Sequence, residues 1–448
     1  MSIAAPIPPL APHPLLIFLL AVTVLLLLAR LLGRLAERFG LPAIVGELVT
    51  GMLLGPSLLG HFAPQISNWL LPPNAEQTHL LDAVAQLGVL LLVGITGTHL
   101  DVRTLRRRGR AAAAVSLSGL LIPLAFGIGL GFVLPTAVTS SGNSSPWVLA
   151  LFLGVTVCVS AIPVIAKTLS DMRLLHRNVA QLTLTAGMID DAAGWLLLSV
   201  VAAAATTGVS LGLVSLSVAY LAGFVLLAMT VGRPLVRKVM THATRSEESG
   251  PAVATAVILM LLGAAITHAL GMEPIFGAFV AGILIAGTPN VQPKLAPLRT
   301  VVLSVLAPLF LASAGLRMDL TALADPAVAL TALAVLTVAI VGKFAGACLG
   351  ARISKLTKWE GLALGAGMNA RGVVEVVVAL TGLRLGVLNT AMYTIIVLVA
   401  IVTSLLAPPL LRIFMAKVEH NEEEHLRKLD QDSWDRPQPA PLAERGEH

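Results

Sequence analysis

Apolar residues in this chain run in long unbroken blocks, not in the short alternations of elements with one wet face. A helix of about 20 such residues crosses a hydrocarbon core of about 30 Å. Blocks of that length fall at 12–33, 41–60, 78–99, 111–135, 147–168, 179–204, 209–232, 251–269, 272–288, 298–318, 327–350, 359–382 and 390–412. The pattern predicts an all-α, polytopic membrane protein of about 13 transmembrane helices.

Charge adds a direction to these elements. Lys and Arg gather at 34–38, 103–110, 167–177, 233–245, 294–299, 352–358 and from Arg412 onward, whereas 61–77, 136–146, 205–208 and 270–273 contain neither. The positive-inside rule makes the basic set cytoplasmic, with the N-terminus outside and the C-terminus inside. The multi-pass protein is therefore expected in a bacterial inner (plasma) membrane. Composition agrees: of 448 residues 56% are hydrophobic and 12% charged, and the mean hydropathy is +0.88. The net charge of +6 reads as a topology signal, so the expected surroundings are lipid and no nucleic acid.

The chain also repeats. PAIVGELVTG (42–51) matches PIFGAFVAG (274–282), aligning Gly46 and Gly51 with Gly277 and Gly282, and GTHLD (97–101) matches GLRMD (315–319). The assigned topology sends each pair through the membrane in opposite senses, the mark of an inverted repeat whose site lies at the repeat interface near the midplane. Interrupted helices point to that site. Pro163 in VSAIPVIAK (159–167) removes a backbone donor and opens the chain near Ser160 and Ala161. In GAGMNARGVVEVVVA (365–379), Gly365, Gly367, Asn369 and Gly372 surround Arg371. With the repeat running from spans 2–6 onto 9–13, these two discontinuous helices correspond and are expected to cross.

The candidate chemistry lies between them. Asp190 and Asp191 sit side by side in QLTLTAGMIDDAAGW (181–195). A charge in hydrocarbon costs roughly 2.5–3.5 kcal/mol even on lenient scales and marks an ion or proton path, so the pair predicts a cation-binding, proton-exchanging site. Arg371 and Glu375 stand at i, i+4 and can pair within the membrane. Arg317 either reaches the outer interface or turns inward to neutralise Asp190. Glu47, Gln86, Lys343 and Asp82 are read as capping or interface-reaching side chains.

Other features read as structural. Cys158 and Cys348 lie in apolar blocks without ligand spacing, and GIGLG (127–131) is small-residue packing inside a span. The first span lacks the n-region and cleavage site of a signal peptide and is read as retained. Residues 416–448 are expected to form a short cytoplasmic tail, a helix followed by disorder, with His420 and His425 solvated. No cofactor is expected and no enzymatic constellation appears.

LPAIVGELVTGMLLGPSLLG, LGVLLLVGITGTHLD, SAIPVIAKTL, GMIDD, APLFLASAGLRMDL and GAGMNARGVVEVVVA, in this order across about 15–415, resemble the monovalent cation:proton antiporter superfamily. The nearest likeness is to the branch with bacterial potassium-efflux and sodium/proton antiporters and plant cation/proton exchangers. The resemblance implies a transmembrane exchanger domain over 1–415, a homodimer, and an elevator-like movement. Within that domain a dimerisation part would cover about 12–60 and 209–300, and a core part about 78–204 and 298–412. It places the cation and proton carrier on Asp191, its neighbour on Asp190, the unwound-helix hydroxyl on Ser160, the tenth-span base on Arg317, and the twelfth-span pair on Arg371 and Glu375. At Ser160 the family more commonly carries Thr. Two features depart from the pattern. The Asp-Asp pair is similar to members that move unequal charge, whose partner base is usually Lys; arginine does not deprotonate, so a base at Arg317 argues against exchange that moves net charge. Thr98 and His99 stand where relatives often carry Leu-Glu.

The expected activity is exchange of Na+ or K+ for protons by alternating access at the Asp pair. A cation channel and a sodium-coupled organic solute carrier are the alternatives, distinguished by currents without proton countermovement and by sodium-dependent solute uptake.

Overall fold

The computed structural model describes residues 12–72, 74–99, 102–135, 138, 145–207, 211–419, 421, 422 and 424, with backbone alone for 102–109, 207 and 211–218. Among the described residues all regular structure is helical. The main helices are α1 (Pro12–Arg38), α2 (Ala43–Leu54), α3 (Ala75–Thr98), α4 (Val102–Gly131), α5 (Pro146–Cys158), α6 (Ile162–Asp171), α7 (Asn178–Thr207), α8 (Leu211–Leu227) and α9 (Arg233–Ala243). They continue with α10 (Gly250–Ala269), α11 (Pro274–Ala286), α12 (Ala296–Val301), α13 (Ala307–Gly315), α14 (Pro326–Ile353), α15 (Lys358–Met368), α16 (Val373–Arg384) and α17 (Thr390–Met415).

The expected count of thirteen spans is not met by length. Eleven helical runs among the described residues are long and apolar enough to cross a bilayer, and twelve if α15 and α16, bent by 50°, are one broken span. The remaining expected span, 272–288, is the 13-residue helix α11. At 1.5 Å per residue it covers about 20 Å. From Ile275 to Gly282 every residue of it is buried, so helix neighbours rather than lipid cover its backbone.

Glycines set how these helices meet, and they do so twice. Gly46 of α2 lies against α1 at Leu32, and Gly51 against α13 at Ala312 and Gly315. Gly277 of α11 lies against α10 at Gly263, and Gly282 against α3 at Gly94 and Gly97. At each position a Cβ would run into the neighbour's backbone. The matched motifs thus make matched contacts: α2 with α1 and α13, α11 with α10 and α3.

Burial separates centre from periphery. In an apolar 18-residue stretch of each span, 83% of residues are buried within 146–171 and 67% within 390–415, against 22% within 12–38 and 11% within 219–243. Two bundles result. One packs α1, α2, α3, α10, α11 and α13; the other packs α4 to α7 and α14 to α17, with α8 and α9 running between them. Within the second bundle α4 and α14 approach closely through Gly346 and Gly350, and Ser118 Oγ donates to Gly346 O at 2.7 Å. GIGLG packs as small residues, with Gly127 against Gly154 and Gly131 against Ala150.

The described part of the tail folds back instead of standing in solvent. Arg177 pairs with Glu424 at 3.0 Å, both buried, and the Asn178 N–H at the start of α7 donates to Glu424 Oε1 at 2.6 Å. His420, His425 and the tail beyond lie outside the described residues, as do residues 1–11 ahead of the first span and Leu100–Asp101 of the repeated GTHLD.

Candidate functional site

Helix α7 carries both acids through an apolar interior in which its other hydroxyls turn back on their own helix. Thr183, Thr185 and Ser199 return their hydroxyls to the carbonyls four residues back, at 2.8, 2.7 and 3.0 Å. That is how such side chains are satisfied where no water competes. Asp190 and Asp191 are both fully buried.

The neighbours part company in what they touch. Asp190 Oδ1 accepts from Ser116 Oγ at 2.6 Å, and its Oδ2 accepts from Ser160 Oγ and from Lys343 Nζ, each at 2.9 Å. Two hydroxyls and an ammonium thus converge on its carboxyl group. Neither oxygen of Asp191 has a hydrogen-bond partner, and the Ile162 backbone N–H, at the first turn of α6, faces it without closing a bond.

Both breaks lie beside this pair. The first opens between Cys158 and Ile162, where Val159 and Ala161 turn extended, so Pro163 occupies the first turn of α6 and its missing N–H costs nothing. The second runs from Asn369 to Gly372 between α15 and α16. The Ala161 N–H donates to Ala370 O at 3.1 Å, so the two interruptions are joined through their backbones. Asn369 is fully buried, and neither atom of its amide has a partner.

Interrupting a helix strands its last carbonyls. Here cations cap them. Arg371 donates to Thr156 O at 2.7 Å and to Val157 O at 2.5 Å, while Lys343 donates to Cys158 O at 2.6 Å and to Gly119 O at 3.0 Å. A positive charge at a helix C-terminus also meets the favourable end of its dipole. Arg371 bonds Glu375 Oε1 at 3.2 Å, the i, i+4 pair expected from sequence, and Ser404 Oγ donates to Arg371 O at 2.5 Å.

Two sequence-based assignments need correction. Arg317 does not reach Asp190: it pairs with Asp82, both partly exposed, beyond the end of α13. The base on Asp190 is Lys343, which sequence reading had assigned to the interface; it is wholly buried in α14. Where α14 packs against α4, its ammonium meets Gly119 O of α4, Cys158 O of the break and Asp190. Ser116 was missed altogether, and nothing in its local sequence marks it.

A cavity of about 480 Å³ ends at Met188, one turn of α7 before Asp191. Its α7 wall is Gln181, Leu184, Thr185 and Met188, a helical stripe whose next member is Asp191. Ile162 and Pro163 of the break lie across from it, with Thr96, His99 and Arg299 contributed by the other bundle. Gln181 and Arg299 place its other end beside the basic connections 167–177 and 294–299. His99 stands at its mouth just beyond α3. Partial burial, and then the Arg299 charge, lower its pKa below the ordinary histidine value.

Known proteins share this architecture. The description "Sodium/hydrogen exchanger, transmembrane" matches residues 17–417. The chain is 30% identical over 400 residues to the Na(+)/H(+) antiporter NhaS4 of Synechocystis, covering 89% of this chain and 97% of that protein. It is 30% identical to the Na(+)/H(+)-K(+) antiporter GerN of Bacillus cereus, covering 88% and 95% respectively. It is 31% identical to Cation/H(+) antiporter 17 of Arabidopsis thaliana, of which it spans 48%, about half the length of that plant relative. The fold is that of the sodium proton antiporter MjNhaP1 of Methanocaldococcus jannaschii, with a TM-score of 0.69 at 17% identity, over 90% of this chain and 99% of that one.

Proposed function

We propose, on the premise that this chain belongs to the sodium/hydrogen exchanger family, that it is a secondary antiporter exchanging Na+ or K+ for protons at Asp190 and Asp191. One observation carries the reading: of two adjacent buried acids, one is held by three donors and the other by none. An unpartnered carboxylate in a dry interior is too costly to persist. Asp191 therefore carries either a proton or a cation, and the two exclude each other.

Asp190 and Lys343 form the second half of the exchange. An arriving cation that draws Asp190 away competes with the ammonium for the same oxygen. A lysine freed from its counter-ion in a buried site gives up its proton readily, as arginine does not. With Lys343 as the base, exchange of two protons for one cation becomes available, and the membrane potential then contributes about 2.3 kcal/mol per net charge per 100 mV. This reverses the argument against net charge movement that rested on Arg317.

Ser160 orients Asp190, Pro163 and Asn369 shape the two breaks, and Arg371 with Glu375 keeps α5 capped while the site is loaded and emptied. Arg317 acts away from the site, in the bundle of α1, α2, α3, α10, α11 and α13. The packing supports that bundle as the scaffold, with α4–α7 and α14–α17 as the moving core. The division thus moves α3 and α13 out of the core that the family resemblance had drawn. The apolar outward faces of α1 and α10, with Leu19, Leu27, Leu31, Ile258 and Leu262 exposed, are where a second copy would seat to form a homodimer. The basic face is cytoplasmic, in a bacterial inner membrane.

The test uses the purified protein in liposomes with an internal pH dye. Each cation is added with and without an imposed potential. Asp191→Asn is expected to abolish cation-driven proton movement, and Asp190→Asn to change stoichiometry or apparent affinity. Full exchange by Asp191→Asn would refute the assignment.

A further inference from the structure

Followed away from the cavity, the stripe on α7 that bears Asp191 reaches Trp195, four residues on and so one turn further on the same face. Gln181, Leu184, Thr185 and Met188 line the cavity on one side of Asp191. On the other side the Trp195 ring lies against Phe279 of α11, with centroids 6.2 Å apart and planes at 47°. Each ring is 1% exposed. One belongs to the bundle holding the acids and the other to the opposing bundle, so the contact spans the boundary the cavity opens.

The two rings differ in how they are mounted. Phe279 is fixed: its carbonyl rests on Gly97, and Gly282 of the same helix lies against the backbone of Gly94. Trp195 follows Gly194, where a Cβ would lie 2.9 Å from Val159 in the break between α5 and α6. The indole is thus carried by backbone that packs directly on the Val159 side chain of the break. The indole Nε1 is buried without a hydrogen-bond partner. A stranded donor costs about 1–3 kcal/mol, and wetting the ring removes that cost, so the packed arrangement is held by contact with Phe279 against a standing bias to leave.

We infer that Trp195, closing on Phe279, is the gate that shuts Asp191 off from the outer side, and is a positioning residue for the exchange. The inference rests on the alternating-access reading above and names what separates the two access routes. With the rings together Asp191 communicates with the basic face alone; when they part it communicates with the opposite face.

The test measures sidedness rather than transport, so its failure is distinct from failure of the antiport assignment. Asp191→Cys is placed in the full chain with Cys158 and Cys348 changed to alanine, and a membrane-impermeant thiol reagent is applied to right-side-out and to everted vesicles. With Trp195 intact, labelling from the cytoplasmic face is expected to be faster. Trp195→Ala is expected to raise labelling from the outer face about tenfold or more, the equivalent of 1.4 kcal/mol of lost closure. Trp195→Phe, which keeps a ring, is expected to hold the parent's asymmetry. Phe279→Ala gives an independent arm from the fixed side and is expected to match Trp195→Ala. A merely structural role would change labelling from both faces alike. That result, or outer-face labelling at the parent's rate in both alanine variants, overturns the proposal.

Discussion

Lys343→Ala withdraws one donor from three buried acceptors: Asp190 Oδ2 at 2.9 Å, Cys158 O at 2.6 Å and Gly119 O at 3.0 Å. Removing one member of a buried ion pair costs about 3–5 kcal/mol, because the remaining charge is left uncompensated. Asp190→Ala strands the ammonium instead and is expected to fall in the same range. In the double variant neither charge remains. Its loss should therefore be smaller than the sum of the two, with a coupling energy of about 2–3 kcal/mol. The assay is thermal unfolding of the purified protein in one detergent at fixed pH for all four members of the cycle. Singles that add to within about 0.5 kcal/mol, as independent sites do, would refute the account of Lys343 as the partner of Asp190. The same variant serves a second readout in liposomes, where exchange that survives should no longer respond to an imposed potential. An unchanged potential response would remove Lys343 from the proton count.

Other substitutions probe separate parts of the site. Ser116→Ala leaves Asp190 with two of its three donors, so stability should fall by about 1 kcal/mol and the apparent cation affinity should shift while maximal exchange persists; a loss of all exchange would show a larger role. Arg371→Gln leaves Glu375 uncompensated and weakens the capping of Thr156 and Val157 in one step, and is expected to cost about 3–5 kcal/mol, read as loss of folded protein in membranes. Arg371→Lys should recover part of it through the retained charge. His99 has a folded pKa below its unfolded value, so the unfolded chain binds its proton first as pH falls. Stability is then lost as pH drops from above 6.5 through the folded pKa, and is regained on raising it. His99→Gln should lose less thermal stability than the parent between pH 7.5 and pH 5. It should also lose less cation affinity from the cavity side over that interval, since no second charge then forms beside Arg299.

The acids were legible because two charges in an apolar run have no bland explanation, and the breaks because proline and clustered glycine interrupt otherwise uniform helices. The glycine-spaced repeat was legible too, and its contacts show why: a small residue is demanded wherever α2 meets α1 and α13, and wherever α11 meets α10 and α3. Lys343 was misread because a lone lysine upstream of the basic run 352–358 looks like one reaching for the interface. Depth was the overlooked signal. Arg352 lies nine residues further along α14, about 13 Å at 1.5 Å per residue, which is beyond a lysine's reach. Arg317 misled for the opposite reason. A cation just past a transmembrane helix reads equally as a core charge or a rim charge, and only the position of Asp82, 235 residues away in sequence, decides it. Ser116 carries no local signal at all, because a serine in an apolar helix bonds its own carbonyls as readily as a distant acid. The length of α11 was overestimated because the expected span, 272–288, takes in Met272 and Glu273 before the helix and Gly287 and Thr288 after it.

The bond from Ala161 N–H to Ala370 O ties together two stretches of chain that lie more than two hundred positions apart, using main-chain atoms only. Side-chain exchange at either end leaves it standing, and among the natural amino acids proline alone at 161 deletes the donor. Sequences can therefore drift widely around this knot, altering hydroxyls, bases and amides, while the crossing that carries them stays joined through its main chain.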